Sequence, residues 1–125
     1  MKLLLDTSAI ISYVNGDGRI LQEVEKAEIV CTSSLCAYET LVGSKDDAKV
    51  ERLVAALMPL PFTFKDSKRA AAIYGKISKS GRRVNVMDVL ICSQALERGL
   101  AVLTRDRDFA KIRDASKQNF EIIQI

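Results

Sequence analysis

Along the chain, apolar positions alternate between short continuous runs and helical spacing. Lys2–Leu5 is an apolar run closed by Asp6, the pattern of a strand buried on both faces. Thr7 or Ser8 can cap a short helix carried by Ile10, Ile11 and Val14. Asn15–Gly18 is a loop by its turn residues, and Ile20, Leu21 and Val24 then predict a helix to about Lys26. Glu28–Thr32 reads as a second strand. Ser33 or Ser34 can cap a third helix, with Gly43 as its predicted C-cap. Asp46 and Asp47 open a fourth, whose apolar stripe is Val50, Leu53, Val54 and Leu57. Pro59 and Pro61 bracket a predicted edge strand, Leu60–Phe64. Asp66 is predicted to cap a long helix through Ala70, Ile73, Tyr74 and Ile77 to about Ser80. A basic loop, Gly81–Asn85, leads to a helix over Met87–Arg98 that stops at Gly99. Leu100–Thr104 reads as a strand, Arg107–Arg113 as a short helix and Phe120–Ile125 as a final strand.

Strands alternate with helices throughout, with no repeat and no linker. This predicts a single domain over residues 1–125 with an α/β, three-layer α/β/α fold around a mostly parallel sheet of four to five strands. In such folds ligands sit outside the carboxyl ends of the strands, where strand order reverses. Asp6 and Asp106 both fall at predicted carboxyl ends.

Composition narrows the chemistry. The 125 residues are 48% hydrophobic and 28% charged, as in an ordinary globular protein. No apolar run approaches the ~18 residues of a membrane span. Asp6 interrupts the apolar start too early for a signal peptide, so a cytoplasmic location without membrane partners is expected. The net charge of +3 permits a polyanionic partner without requiring one. Cys31, Cys36 and Cys92 form no CxxC pair and read as buried, reduced thiols. Histidine is absent, which removes imidazole acid–base catalysis, the serine and cysteine triads and His-ligated zinc. Any catalysis must rest on carboxylates, hydroxyls, lysines or a metal held by oxygen.

Two carboxylates stand where a solvated acid is not expected. On the helix from Met87, Asp88 shares a face with Ile91, Cys92, Ala95 and Leu96. Glu39 lies among Leu35, Cys36 and Val42 at the same helical spacings. A lone buried carboxylate tends to protonate, and several converging ones repel unless a cation joins them. Asp6, Glu39, Asp88 and Asp106 thus make a plausible oxygen-ligand cluster of the kind that holds Mg²⁺. Each acid also has a plain structural reading. Asp6 and Asp106 can cap helices, Asp108 suits a first helical turn, Asp88 can ease its helix dipole and Glu39 can pair with a buried cation. One metal site accounts for the set together.

These residues resemble a known family, the PIN domain nucleases, and especially the VapC-type toxins of prokaryotic toxin–antitoxin pairs. LLLDTSAII is similar to that family's opening strand, with Asp6 as first acid. SLCAYETLVG resembles the helix carrying the second acid, Glu39. NVMDVLICSQALERGLAVLTRDRDF resembles its most recognisable segment, with Asp88 as third acid. The fourth lies in TRDRDF, where Asp106 and Asp108 compete. The resemblance implies a PIN-like fold and a metal-dependent endoribonuclease using Mg²⁺, or Mn²⁺, to activate water against an RNA phosphodiester. Asp6, Asp88 and Asp106 would bind metal, and Glu39 would be a ligand or would orient or deprotonate the water. Thr7, Ser8 and Thr104 would contact metal waters or phosphate. Arg82, Arg83, Arg105 and Arg107, with Lys79 and Lys111 nearby, are candidates for holding the RNA backbone. It further implies a small antitoxin partner whose C-terminal segment fills the acidic groove, and a homodimer in which Ile11, Tyr13 or Val14 form an interface.

Three other readings compete. A receiver-type phosphoacceptor also places acids at parallel-strand ends, but it needs paired acids after the first strand and a lysine after the last. A haloacid-dehalogenase-type phosphatase needs Asp-x-Asp, and position 8 is Ser. An inactive PIN-like module that binds RNA or protein would not require all four acids.

Overall fold

The computed structural model describes all residues, Met1–Ile125. Five strands and seven helices alternate in the order β1 (Lys2–Leu5), α1 (Thr7–Val14), α2 (Gly18–Lys26), β2 (Ile29–Ser33), α3 (Ser34–Ser44), α4 (Ala48–Ala56), β3 (Pro59–Leu60), α5 (Phe64–Lys79), α6 (Val86–Arg98), β4 (Ala101–Thr104), α7 (Asp108–Ser116) and β5 (Ile122–Gln124). The sheet is parallel throughout, in the order β3-β2-β1-β4-β5. Its centre is the most apolar part of the chain. Leu3, Leu4 and Leu5 pair with Ala101, Val102 and Leu103, and all six are buried. That is why both segments read as continuous apolar runs.

Right-handed crossovers put α1–α4 on one face, because β1 to β2 to β3 step one way across the sheet. From β3 the chain crosses back to β4 and β5, placing α5–α7 on the other. The contacts agree: α5, α6 and α7 pack on one another, and α1 packs on α2, α3 and α4. The α3 helix also meets α6, and these two carry Glu39 and Asp88. The order reverses between β1 and β4, so the switch point lies between Asp6 and Thr104. This order also sets aside the receiver-type reading, whose doubly wound sheet runs 2-1-3-4-5.

Local chemistry moves several predicted boundaries. The long helix begins at Phe64, not after Asp66, because Thr63 is its N-cap and Asp66 closes a capping box onto the Thr63 N–H at 2.8 Å. The predicted edge strand Leu60–Phe64 shrinks to Pro59–Leu60, since Pro61 has no N–H to give a ladder. Gly43 is not the C-cap of α3. The helix runs on to Ser44, and Lys45 takes the left-handed position at φ 51°. Asp6, rather than Thr7 or Ser8, caps α1 by accepting from the Ala9 N–H. Gly99 caps α6 as predicted, at φ 63°.

Helix α6 is locked to α5 at its C-terminal end. The Arg98 guanidinium reaches both Asp66 oxygens, at 2.7 and 3.0 Å, and also the Gln94 and Pro61 carbonyls. Burial alone would raise the Asp66 carboxyl. The hydrogen bonds from Arg98 and Thr63 outweigh it and hold the group below its ordinary range. Asp66 is 1% exposed, so removing its partner leaves a nearly dry charge. Arg98→Ala should therefore destabilise the fold by about 3 kcal/mol, the low end for a buried pair because Arg98 keeps some solvent. Urea unfolding checks this, and an unchanged midpoint would show that the pair adds nothing.

Candidate active site

The carboxyl ends of β1 and β4 deliver Asp6 and the turn 105–107 side by side. The Asp6 N–H bonds the Leu103 carbonyl, which fixes the two strand ends in register. Asp6 is 4% exposed, and both its oxygens accept hydrogen bonds. Oδ1 receives the Ser8 hydroxyl at 2.7 Å and the Ala9 N–H at 2.8 Å, and Oδ2 receives the Thr104 hydroxyl at 2.5 Å. Thr104 in turn accepts from the Asp106 N–H at 2.8 Å, and Asp106 accepts from the Asp108 N–H at 2.9 Å. A chain of neutral donors therefore runs from Asp6 to the start of α7.

Helix α6 brings in Asp88 from its first turn, after the Asn85 cap. Oxygens of Asp88, Asp106 and Asp108 come within 4.8 Å of one another. Asp88 makes no hydrogen bond or ion pair. Burial, then the charges of Asp106, Asp6, Asp108 and Glu39, push its carboxyl up to about 7. Burial likewise raises Asp6, against the opposing pull of its hydrogen bonds from Thr104, Ala9 and Ser8. Glu39 stands on α3 and accepts the Thr7 hydroxyl at 2.8 Å.

The structure thus brings Asp88, Asp106 and Asp108 together, with Asp6 and Glu39 near enough for their charges to act on Asp88. Asp106 and Asp108 do not exclude each other: both join Asp88, although Asp108 also pairs with Lys111 at 3.1 Å. The expected apolar stripe around Glu39 is only half right. Cys36 is buried, but Val42 is 63% exposed, so it is Thr7 that fixes Glu39 rather than core packing. For Asp88 the stripe holds, with Ile91, Cys92 and Ala95 buried. The hydroxyls have a different part from the one expected. Thr104 is fully buried between Asp6 and the Asp106 N–H, and Ser8 joins Asp6 to the Arg105 N–H, so both position the acids.

Of the basic candidates, Arg82, Arg83 and Arg107 are exposed and unpaired. Arg105 is engaged: its guanidinium contacts the Ser12 hydroxyl at 3.1 Å and Asp17 at 3.3 Å. It ties the acid loop to the turn between α1 and α2, a role that spacing alone did not signal. Cys36 and Cys92 lie beneath the acids as free, buried thiols. Burial and the Asp6 charge push Cys36 up to about 12, so it supplies no thiolate nucleophile.

Converging carboxylates, with Asp88 and Asp106 unpaired and Asp88 pushed up to about 7, suit a divalent cation with oxygen ligands. Asp88, Asp106 and Asp108 can hold it, with Asp6 adjoining through Thr104. The chain is therefore a doubly wound α/β protein with a cluster of carboxylates at its switch point.

The comparisons give the family. The PIN domain profile matches residues 3–115. The chain is 32% identical to "Ribonuclease VapC5" of Mycobacterium tuberculosis, across 98% of this chain and 94% of that protein. Among solved structures, the VapBC-5 toxin–antitoxin complex of M. tuberculosis superposes with a TM-score of 0.68 at 25% identity over 100% of both chains. VapBC2 of Rickettsia felis, bound to a promoter DNA fragment, superposes with a TM-score of 0.80 at 18% identity, covering 100% of this chain and 99% of that one. The chain belongs to the PIN domain family, a family of nucleases.

Two predictions follow from the geometry. Thr104→Val removes the link between Asp6 and the acid loop, and should weaken Mn²⁺ binding by about 10- to 100-fold with the fold intact. Titration calorimetry measures it, and wild-type affinity would contradict the positioning role. The second concerns pH. Asp88 moves from 3.8 in the unfolded chain to about 7 when folded. A raised folded value gives stability that is complete below about 4 and lost as pH rises through about 7. In chelator, the melting temperature should thus fall across that window, and Asp88→Asn should flatten the fall. Added Mg²⁺ should raise the melting temperature more at about pH 8 than at about pH 5.

Proposed function

We propose that this chain is an endoribonuclease that hydrolyses RNA with Mg²⁺, or Mn²⁺, held at the acid cluster, and that it is the toxin of a toxin–antitoxin pair. The observation that carries the reading is the convergence of Asp88, Asp106 and Asp108 with no cation of the chain bound to Asp88 or Asp106. A bound divalent ion supplies a water of lowered pKa and offsets charge on the phosphate. Asp88, Asp106 and Asp108 would hold the ion, with Asp6 adjoining them through Thr104. Glu39, aimed by Thr7, orients the attacking water or takes its proton. In the reaction a water oxygen bonds to phosphorus, the bond to the leaving ribose oxygen breaks, and a proton passes to that oxygen. The absence of histidine fits a mechanism in which carboxylates do all proton handling.

The partner reading rests on the likeness to the solved toxin–antitoxin complexes. A groove of about 240 Å³ starts at Glu39 and is lined by Ile11, Val14, Thr40 and Val50. A small antitoxin covering it would reach Glu39 directly. Ile11 and Val14, 50% and 40% exposed, also remain candidates for a homodimer contact. A toxin of this kind would act in the cytoplasm, where its RNA lies.

The test is cleavage of a panel of tRNA, rRNA and synthetic RNAs. Mg²⁺ should support cleavage and chelator should abolish it. Asp6→Asn and Asp88→Asn should each lower the rate by about 10²-fold or more, the loss of several kcal/mol of transition-state stabilisation. Chelator-resistant cleavage, or wild-type rates in both variants, would sink the reading.

A further inference from the structure

The acid cluster repels the polyanion it is proposed to cut, so RNA affinity must come from cations elsewhere on the chain. The C-terminal ends of α5 and α7 enclose a groove of about 400 Å³ lined by Lys76, Lys79, Ser80, Ala115, Ser116 and Lys117. We infer that this groove is a docking surface for the phosphodiester backbone of the RNA substrate, at nucleotides flanking the scissile bond. The inference rests on the nuclease reading and extends it.

Four observations support it. First, none of the three ammonium groups has a carboxylate partner. The neighbouring acids on α7 are already taken, Asp108 by Lys111 and Asp114 by Arg113. Second, helix-end electrostatics explains only part of the cluster. Lys76 and Lys79 sit in the last turn of α5, where a cation is favoured. Lys117 instead takes the left-handed position after α7, at φ 55°, where a glycine is easier to place. Third, the α5 side of the groove is joined along the chain to the helix that carries Asp88. Ser80 passes into the loop bearing Arg82 and Arg83, both exposed and unpaired, and that loop delivers Asn85 and Asp88. Fourth, the separation is right. Asp108 and Ser116 are the ends of α7, so the groove lies about 12 Å along that helix from the acid cluster, at about 1.5 Å per residue. That exceeds the screening length of about 8 Å at physiological salt, so the carboxylates do not cancel the lysines. Only Phe62, Phe64, Tyr74 and a few other aromatic residues are present, and none lines the groove. The contact is therefore with backbone phosphates rather than stacked bases.

The test compares Lys76→Gln/Lys79→Gln/Lys117→Gln with a control triple, Lys2→Gln/Lys45→Gln/Lys68→Gln, whose lysines are also exposed and unpaired. Binding of a fluorescein-labelled single-stranded 15-nucleotide RNA is measured in EDTA, independent of cleavage, from low to high salt. Circular dichroism confirms that both variants are folded. The groove triple should bind at least about tenfold more weakly at low salt. Its slope of log K against log[salt] should shrink by about 2, the value for three lost phosphate contacts on a single strand. The control triple should keep the wild-type slope. Equal slopes in all three proteins would overturn the docking surface and leave the groove to an acidic protein segment. Equal losses in both triples would reduce it to net charge. If the groove triple loses binding as expected while the unvaried protein cleaves no RNA with Mg²⁺, the docking surface stands and the nuclease reading falls.

Discussion

Like charges held close together must be either neutralised or rigidly positioned, and this chain does each in a different place. At the switch point the acids are held by neutral donors. Ser8, Thr104 and the Ala9 N–H bind Asp6, Thr7 binds Glu39, and the Asp108 N–H binds Asp106. These bonds fix geometry without removing charge. Burial first, and then the repulsion that remains, give Asp88 its high proton affinity. At the α5–α6 seam the acids are held by cations. Asp66 has Arg98, and Glu97 has Arg69 and Lys65. The first arrangement leaves negative potential for a divalent ion, and the second leaves none.

The two arrangements depend on each other. Asp88 is placed by α6, and α6 is held at its far end by Arg98 and stopped there by Gly99. The acid loop after β4 is held from two sides. Thr104 fixes it to Asp6, and Arg105 fixes it to Ser12 and Asp17 at the turn between α1 and α2. Loop residues carrying function on a rigid scaffold are expected at this edge of an α/β sheet. What distinguishes this one is the number of short polar side chains that pin it.

Much of the fold was legible because period and length carry it. Continuous apolar runs at Leu3–Leu5 and Ala101–Leu103 read as buried parallel strands, and Gly99 as the end of a helix, as the structure has them. Boundaries failed where two local signals competed. Asp66 has the look of an N-cap, but the reciprocal bonding makes Thr63 the cap and Asp66 its partner in the box. Glu39 was found on a stripe that is partly false, since Val42 faces solvent. Cys36, buried three residues before it, is the part of the stripe that holds.

Local pattern alone carries which residues are acidic, which face of its helix Asp88 occupies, and that Asp6 and Asp106 follow the carboxyl ends of β1 and β4. Composition also removed histidine chemistry. Only the tertiary structure decided which oxygens meet. Asp106 and Asp108 lie two residues apart and look like rivals in one dimension. A turn and a helix start bring both to Asp88. Arg105 looks like a free phosphate ligand until the fold sets Asp17 beside it. The reason is general: periodicity reports the direction of a side chain relative to its own element, whereas a site is a distance between elements. That distance is fixed by strand order and by long-range hydrogen bonds such as Thr104 to Asp6, which no local pattern encodes.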